Sequence, residues 1–240
     1  QFRCELDGAD EHQRRHFTRT SRHREDHARH DSRHGSRQHD VSDRLPLRCA
    51  ARQRTFAHRS RDGGQTFAAE QTLQSDGAAG DRGWQAVEVD EAGVVHVMWL
   101  DHRGLAAGPR PTERDHMDGA AMAQRSGLYY RTVGTSAEAP AERELVKGVC
   151  FCCKTALATA PGGRLFAAWR HVYPGNIRDI AFITSTDGGR TFSTPGRVSD
   201  DAWELAGCPD DGPALAVDGG NRVHVVWPTV LGGDTPEGAI

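Results

Sequence analysis

The sequence predicts an all-β fold built from repeated antiparallel sheets, and two kinds of internal repeat carry that prediction. Three segments align without gaps. Each predicts a short apolar strand, a turn rich in Gly and Asp, and an alternating strand that ends in Trp. They are Ala86–Trp99, Ala156–Trp169 and Ala214–Trp227. A short motif also occurs twice, as SRDGGQTF (Ser60–Phe67) and STDGGRTF (Ser185–Phe192). Repeated hairpins at such intervals are typical of β-propeller blades.

The segments between the hairpins predict the remaining strands of each blade. After Trp169, DIAFIT predicts a third strand, STDGGRTF a turn, and GRVS the start of a fourth strand. After Trp99, a longer loop leads to LYYRTV as a third strand, and the following turn, GTSAEAP, lacks the motif. The first motif would lie between the last two strands of an earlier blade. The sequence therefore predicts a propeller fragment of about three to four blades.

The spacing S-x-D-x-G-x-x-[FW], between a third and a fourth strand, resembles the Asp-box (BNR) repeat of the sialidase superfamily. The resemblance covers residues 57–240 and implies a six-bladed β-propeller of sialidase type. It implies a glycoside hydrolase of the exo-α-sialidase type, acting on acidic glycans. Non-catalytic propellers also carry Asp boxes. The alternative is a propeller that binds glycan or protein through the face opposite the boxes.

The boxes themselves are expected to be structural turns. Paired glycines let the chain reverse tightly, the Asp accepts hydrogen bonds from turn N–H groups, and the aromatic packs between sheets. A calcium loop needs several oxygen ligands at alternating positions, and each box offers one acid. The structural residues predicted are Ser60, Asp62, Gly64, Phe67, Ser185, Asp187, Gly189 and Phe192.

Composition separates residues 1–56 from the rest of the chain. This segment is crowded with Arg and His and shows neither strand nor helix periodicity. It reads either as a disordered polar leader or as the product of a shifted reading frame. The formal net charge of −3 gives no basic field for nucleic acid. No segment approaches the roughly 18 apolar residues of a membrane span, and no signal peptide is visible.

Chemistry is expected on the loops at the face away from the boxes. Arginines there suit a carboxylate ligand, since the guanidinium offers a bidentate fork. We expect Arg170 and Arg178 to contact the carboxylate and Asp101 or Asp211 to act as the acid. Further ligand-binding residues predicted in these loops are Arg103, His171, Tyr173, Asp179 and Asp210.

The family resemblance also implies three arginines around the sugar carboxylate, an Asp acid/base and a Tyr nucleophile activated by Glu. This complete set cannot be placed on the sequence, which lacks the Arg-Ile-Pro motif of the family. Tyr173 has no Glu near it in the chain. We therefore expect the chain as it stands to be inactive.

The chain has six cysteines, and four of them fall in two loops that each precede the first strand of a blade. Three readings stay open: a disulfide from Cys208 to one of the other three, a soft-metal site, or buried thiols. The disulfide is the leading one, and it predicts an extracellular or periplasmic protein. Three or four thiolates would suit zinc or copper, although no cofactor is expected. The four cysteines are Cys150, Cys152, Cys153 and Cys208.

Overall fold

The computed structural model describes residues 54–75, 77–108, 119–134, 141–207 and 209–230. All of them belong to the compact unit Leu47–Ile240. The predictions made for residues 1–53 and for Cys208 lie outside the described residues. Within the described part, no helix is long and apolar enough to cross a membrane.

The strands of the described chain form four antiparallel sheets. Two sheets have two strands each, β1 with β2 and β11 with β12, and two sheets have four. The first four-stranded sheet runs β3-β4-β5-β6 and the second runs β7-β8-β9-β10, so each is a meander in chain order. The strands are β1 Phe56–Ala57, β2 Gln71–Thr72, β3 Arg82–Val89, β4 Val95–Asp101, β5 Gly127–Val133, β6 Arg143–Lys147, β7 Thr155–Ala160, β8 Arg164–Arg170, β9 Ile180–Ser185, β10 Gly196–Arg197, β11 Ala214–Val217 and β12 Val223–Val226.

Two short helices, α1 (Arg103–Ala107) and α2 (Gly119–Ala123), lie between β4 and β5. The sequence reading treated this part only as a long loop. Neither segment has an acidic first turn or a basic last turn, and α1 has no side-chain N-cap. Such short helices lack the usual local signals, so tertiary contacts rather than propensity hold them.

The three predicted hairpins all form, and they form in the same register. In each hairpin the first residue of the repeat pairs with the residue that precedes the Trp. The pairs are Ala86 with Met98, Ala156 with Ala168, and Ala214 with Val226. The predicted third strands are β5 and β9, and β10 gives the second sheet its fourth strand. The fourth strand of the first sheet, β6, follows the motif-free turn.

The sheets pack face to face, and this packing makes the core. A cluster between the two four-stranded sheets includes Met98 and Leu100 from β4 and Leu165 and Trp169 from β8. A second cluster joins the β1–β2 hairpin to the first sheet through Leu73 and the other face of β4. Residues 96–101 are buried without interruption because both faces of β4 are covered. The first strands β3, β7 and β11 lie side by side, which is consistent with a partial propeller-like fold.

The two boxes share one set of hydrogen bonds. In the second box, the Ser185 hydroxyl donates to Asp187 Oδ1 at 2.8 Å and accepts from the Gly189 N–H at 2.9 Å. Asp187 also accepts from both the N–H and the hydroxyl of Thr191. The first box repeats these bonds with Ser60, Asp62, Gly64 and Thr66. Hydrogen bonds to the Thr and Ser of each box hold the pKa of both aspartates well below the usual range.

The boxes differ in how they pack. Phe192 meets the Tyr130 ring edge-on at 5.1 Å between ring centroids. At Gly189, where φ is +78°, a Cβ would collide with the Tyr130 hydroxyl, so this position needs glycine. Phe67, by contrast, is 63% exposed. The prediction that the box aromatics pack between sheets is therefore wrong for Phe67, which lies in the loop between the two short strands β1 and β2.

Candidate functional site

The box and the hairpin turns lie at one edge of the sheets. The Gly188 N–H donates to the Gly163 carbonyl at 2.8 Å, which joins the second box to the β7–β8 turn. The Gly162 N–H donates to Glu91 Oε1 at 2.8 Å, which joins that turn to the β3–β4 turn. Strands β4 and β8 both run away from this edge. We call the opposite edge, where β4 finishes at Asp101 and β8 at Arg170, the site end.

At the site end of the first sheet, Asp101 lies between two arginines. Arg82 Nε donates to Asp101 Oδ2 at 2.9 Å, and Arg103 Nη2 donates to the same oxygen at 2.7 Å. The Trp99 indole N–H also points to this oxygen at 3.3 Å. Arg82 opposes Asp101 in the β3–β4 ladder, and the sequence reading missed it. It stands in the loop just before the hairpin that the sequence predicts to begin at Ala86, so no strand signal marked it.

This environment keeps Asp101 ionised. Burial alone would raise the pKa of Asp101, but the hydrogen bonds and charge of Arg103, with the charge of Arg82, hold that pKa below the usual range. A general acid needs a proton to give near neutral pH. The geometry therefore favours a structural role for Asp101 over the acid role predicted from the sequence, and it places Arg103 in the same ion network.

A tyrosine–glutamate contact lies next to this network. The Tyr129 hydroxyl donates to Glu144 Oε2 at 3.0 Å, and the Arg103 guanidinium stacks 4.3 Å from the centre of the Tyr129 ring. Burial and then the bond to Glu144 raise the pKa of Tyr129 well above its usual value. A hydroxyl with a raised pKa is a weak nucleophile. This contact is therefore a stabilising cross-strand pair.

At the site end of the second sheet, Arg170 is covered and holds three stretches of main chain. It donates to the carbonyls of Arg178 at 2.6 Å, Pro228 at 2.7 Å and Asp211 at 3.2 Å. Its guanidinium also lies 4.8 Å from the Trp203 ring centre. With 1% of its surface exposed, Arg170 ties β8 to the segments that follow it. Its predicted contact with a ligand carboxylate stays a prediction.

Arg178 is also fully covered. Its Nε donates to the Leu205 carbonyl at 3.3 Å and its Nη1 to Cys150 Sγ at 3.2 Å. Burial, and after it the charge of Arg170, lower the pKa of Arg178 to about 10, so both groups remain cationic at neutral pH. The structure thus brings the two predicted arginines together beneath the surface.

The accessible part of this end is a ridge formed by His171, Tyr173 and Arg197. The rings of His171 and Tyr173 are 4.5 Å apart, and the Arg197 guanidinium lies 3.9 Å from the centre of the Tyr173 ring. Burial and then the charge of Arg197 lower the pKa of His171 to about 4. Burial raises the pKa of Tyr173 against the opposing bond from Arg197. Arg197 was missed because it stands outside the loops that the predicted topology selected.

Acidic side chains border the ridge on one side. Arg197 Nη1 lies 2.8 Å from Asp200 Oδ1 and 3.4 Å from Asp179 Oδ2. Asp179 is buried and accepts from the Ala202 and Trp203 N–H groups, so it fixes the loop after β10. Asp210 and Asp211 are exposed. Asp211 meets Arg170 through its carbonyl, while its predicted role as an acid stays a prediction.

The cysteine loop lies against the same arginines. A disulfide joins Cys150 to Cys153, and Cys152 Sγ lies 3.8 Å from Cys150 Sγ. The three sulfurs all lie within 4.8 Å of one another. A bond from Cys208 stays a prediction because that residue lies outside the described ranges.

A cavity of about 580 Å³ lies far from these groups, beside the first box, and is lined by residues such as Ser60, Thr66 and Phe67. It is an open groove next to the unpacked Phe67, and its lining includes none of the residues predicted to be catalytic or ligand-binding. The charged and aromatic side chains at the site end favour a functional surface there, whereas the groove offers only its size.

Comparison with known proteins gives weak likeness. No protein-family model matches the chain, and no curated protein matches it. Among solved structures, a Hadza microbial sialidase matches with a TM-score of 0.43 and 19% identity, over 66% of this chain and 32% of that one. An endo-arabinase from Bacteroides thetaiotaomicron VPI-5482 matches with a TM-score of 0.38 and 11% identity, over 70% of this chain and 62% of that one. The chain thus spans 32% of the sialidase it matches.

Proposed function

We propose that this chain is part of a six-bladed β-propeller of the sialidase type, a glycoside hydrolase that acts on acidic glycans. The observation that carries the proposal is the pair of boxes with one hydrogen-bond set. The second box joins the third and fourth strands of a meander sheet, at the edge opposite the charged loops. That placement is the one the Asp-box resemblance implies.

The ridge suits a sugar that carries a carboxylate. Aromatic faces such as that of Tyr173 pack against apolar sugar surfaces, and Arg197 offers the bidentate fork that a carboxylate prefers. The buried cations Arg170 and Arg178 add positive potential beneath the ridge. We therefore infer an acidic carbohydrate or glycoconjugate as the ligand, and an extracellular or periplasmic site of action.

A second candidate function, a non-catalytic propeller that binds such a glycan, is favoured by three observations. Asp101 is buried and engaged by two arginines. Arg170 and Arg178 are covered and donate to main-chain carbonyls and a sulfur. The pKa of Tyr129 is raised rather than lowered. Asp101 is then unsuited to the acid role and Tyr129 to the nucleophile role, and the two arginines are not exposed to a substrate carboxylate.

The two functions separate in an assay of the full-length gene product on a fluorogenic sialoside, with the matching neutral galactoside as control. The enzyme proposal predicts hydrolysis of the sialoside alone. Binding of sialic acid without hydrolysis would establish the non-catalytic function instead. If the protein neither hydrolysed the sialoside nor bound sialic acid, both proposed functions would be overturned.

A further inference from the structure

The described part of the chain has a half-sheet at each end of its row of sheets. The β1–β2 pair packs on the first four-stranded sheet, and β11 lies beside β7 of the second. Strands β1 and β2 flank the first box as β9 and β10 flank the second, while β11 and β12 form a hairpin like that of β7 and β8. Among the described residues, β12 pairs only with β11 and β1 only with β2. One half-sheet therefore lacks a third and fourth strand, and the other lacks a first and second.

The two half-sheets keep the register of the complete second sheet. On the hairpin side, Val226 occupies the position that Ala168 has in β8. On the box side, Ala57 occupies the position that Phe182 has in β9. Ala168 and Phe182 are direct partners in the complete sheet. Strand β1 of a second copy would therefore pair with β12 in an antiparallel ladder that sets Ala57 opposite Val226.

Strand β12 carries the side chains of a covered strand without the cover. Val226 is 69% exposed, whereas Met98 and Ala168, at the equivalent positions of β4 and β8, have no exposed surface. Unpaired N–H and C=O groups along such an edge are a template for another strand. In the register above, the apolar Phe56, which is 44% exposed, would lie opposite Trp227. Pairing with β1 would thus bury apolar surface on both strands.

The unpacked Phe67 acquires a packing partner in the same arrangement. In the second box, Phe192 packs against Tyr130 on the third strand of the preceding sheet. The residue that occupies the Tyr130 position in the second sheet is Phe182. Phe182 is half-buried and borders a cavity of about 290 Å³ beside β12. Phe67 of a second copy would lie at this cavity, just as Phe192 lies at Tyr130.

We propose that this chain pairs with a second copy of itself, so that β1–β2 of each copy completes the sheet that β11–β12 of the other begins. The described residues form two complete sheets and two half-sheets, which together amount to three blades. Two copies then supply six blades, and two equivalent interfaces close the ring around a two-fold axis. The count of six rests on the proposed function above, whereas the pairing of β12 with β1 does not.

A second copy is favoured over an unrelated partner because each half-sheet is the missing part of the other. The β1–β2 pair supplies a third strand, a box and a fourth strand in the register of the second sheet. The pairing covers the open edges of β12 and β1 at the same time. Ring closure of this kind is how propellers protect their sheet edges.

Sedimentation equilibrium of the whole chain, without reductant, measures the association. The chain has a mass of 26.2 kDa, and we expect a species of twice that mass that dissociates on dilution. A monomer at every concentration would overturn the proposal, as it would if residues 1–53 or 231–240 of the same chain covered β12 instead. Larger open assemblies would overturn the closed ring of two.

A cross-link between two differently tagged chains tests the register. One chain carries Ala57→Cys and the other Val226→Cys, and both carry Cys4→Ser and Cys49→Ser. Directly opposite residues of an antiparallel pair have Cα atoms about 4.5–5.5 Å apart, which a disulfide can span. We expect mild oxidation to join the two chains at the introduced cysteines, as mass spectrometry of the peptides would show. Val223→Cys, roughly 10 Å away along β12, is the matched control and should cross-link far less. A dimer that lacks the link between positions 57 and 226 would overturn the proposed pairing.

Val226→Glu tests whether this strand edge holds the dimer. Because Val226 is exposed in the single chain, the variant should fold, and circular dichroism checks that it does. A charge buried without a partner in the interface should raise the dissociation constant of the dimer by about 10-fold or more. Val87→Glu, at a residue of β3 that is 61% exposed, is the matched control and should leave the dimer intact. Equal dissociation constants for the wild type and folded Val226→Glu would contradict the proposal.

Sugar binding distinguishes failure of this proposal from failure of the proposed function. Binding of N-acetylneuraminic acid is measured by calorimetry on the same preparations. A monomeric chain that binds the sugar would overturn only the pairing of the two copies. A cross-linked dimer that binds no acidic sugar would support the pairing and overturn only the glycan ligand.

Discussion

Strands β4 and β8 are the same strand in two successive sheets, and they finish with opposite chemistry. Each is the second strand of a hairpin, the two hairpins have the same register, and each strand carries a buried tryptophan, Trp99 or Trp169. The residue after the tryptophan is Leu100 in β4 and Arg170 in β8. The first sheet then ends in a carboxylate held by two arginines. The second ends in arginines that donate to carbonyls and a sulfur.

This difference shows that the scaffold and the chemistry are set by different residues. The hairpin register and the tryptophans repeat because sheet packing demands them. The residues just past the tryptophans lie at the strand ends, where a change of side chain leaves the ladder intact. The first end is consequently neutralised by its own ion network, while the second end buries two arginines whose partners are carbonyls and a sulfur.

Asp101→Ala should have the largest effect on stability. It leaves Arg82 and Arg103 without their shared carboxylate, and breaking a buried ion pair typically costs about 3–5 kcal/mol. Denaturant unfolding followed by circular dichroism measures the change. Asp200→Ala, whose side chain is 89% exposed, is the control and should lie within about 0.5 kcal/mol of the wild type. Similar small losses for both variants would show that the first end is not held by its ion network.

Arg170→Met should cost less, about 1–3 kcal/mol, because lost bonds to three carbonyls are partly offset by removal of a desolvated charge. The matched control is Leu100→Met at the equivalent position of β4, which conserves volume and should cost under about 1.5 kcal/mol. Unfolding curves of the two variants compare the ends directly. A stability loss for Arg170→Met that exceeds that of Asp101→Ala would reverse the comparison.

His171 should make the second end sensitive to acid. Its folded pKa of about 4 lies below the usual 6.5, so between these values the unfolded chain binds a proton that the folded chain does not. Stability therefore falls as the pH drops from 6.5 towards 4. His171→Phe keeps a ring beside Tyr173 and should lose this part of the pH dependence. Identical pH profiles for the two proteins would exclude His171 as the cause.

Substitutions of the two box aspartates should have the smallest effects, and the two variants should differ only in thermal stability. Asp187→Ala and Asp62→Ala remove the same hydrogen bonds, but the second box is packed against Tyr130 and the first carries an exposed Phe67. We expect both to lower the melting temperature and Asp187→Ala to lower it more. Differential scanning calorimetry checks the order. A larger loss for Asp62→Ala would mean that packing does not set a box's contribution.

The repeats made the sheets predictable, because hairpins, third strands and boxes each have a local signature in the sequence. At the site end Arg170 contacts the Arg178 carbonyl and His171 lies beside Tyr173, while the ligand-binding roles expected of these residues stay predictions. The sequence did not predict which of these side chains are buried. Burial of Arg170 and Arg178 depends on carbonyls far along the chain. The pairing of β3 with β4 was needed to show that Arg82 lies opposite Asp101. A ring contact was needed to show that Arg197 lies against Tyr173.

Calorimetric titration of the wild-type chain with N-acetylneuraminic acid, and with lactose as the neutral control, tests the division between box edge and site end most directly. Wild type and folded Asp187→Ala should bind the acidic sugar, and Arg197→Gln should lose most of this binding. None of the three proteins should bind lactose. Loss of binding in stably folded Asp187→Ala, or undiminished binding in Arg197→Gln, would contradict the placement of the ligand at the site end.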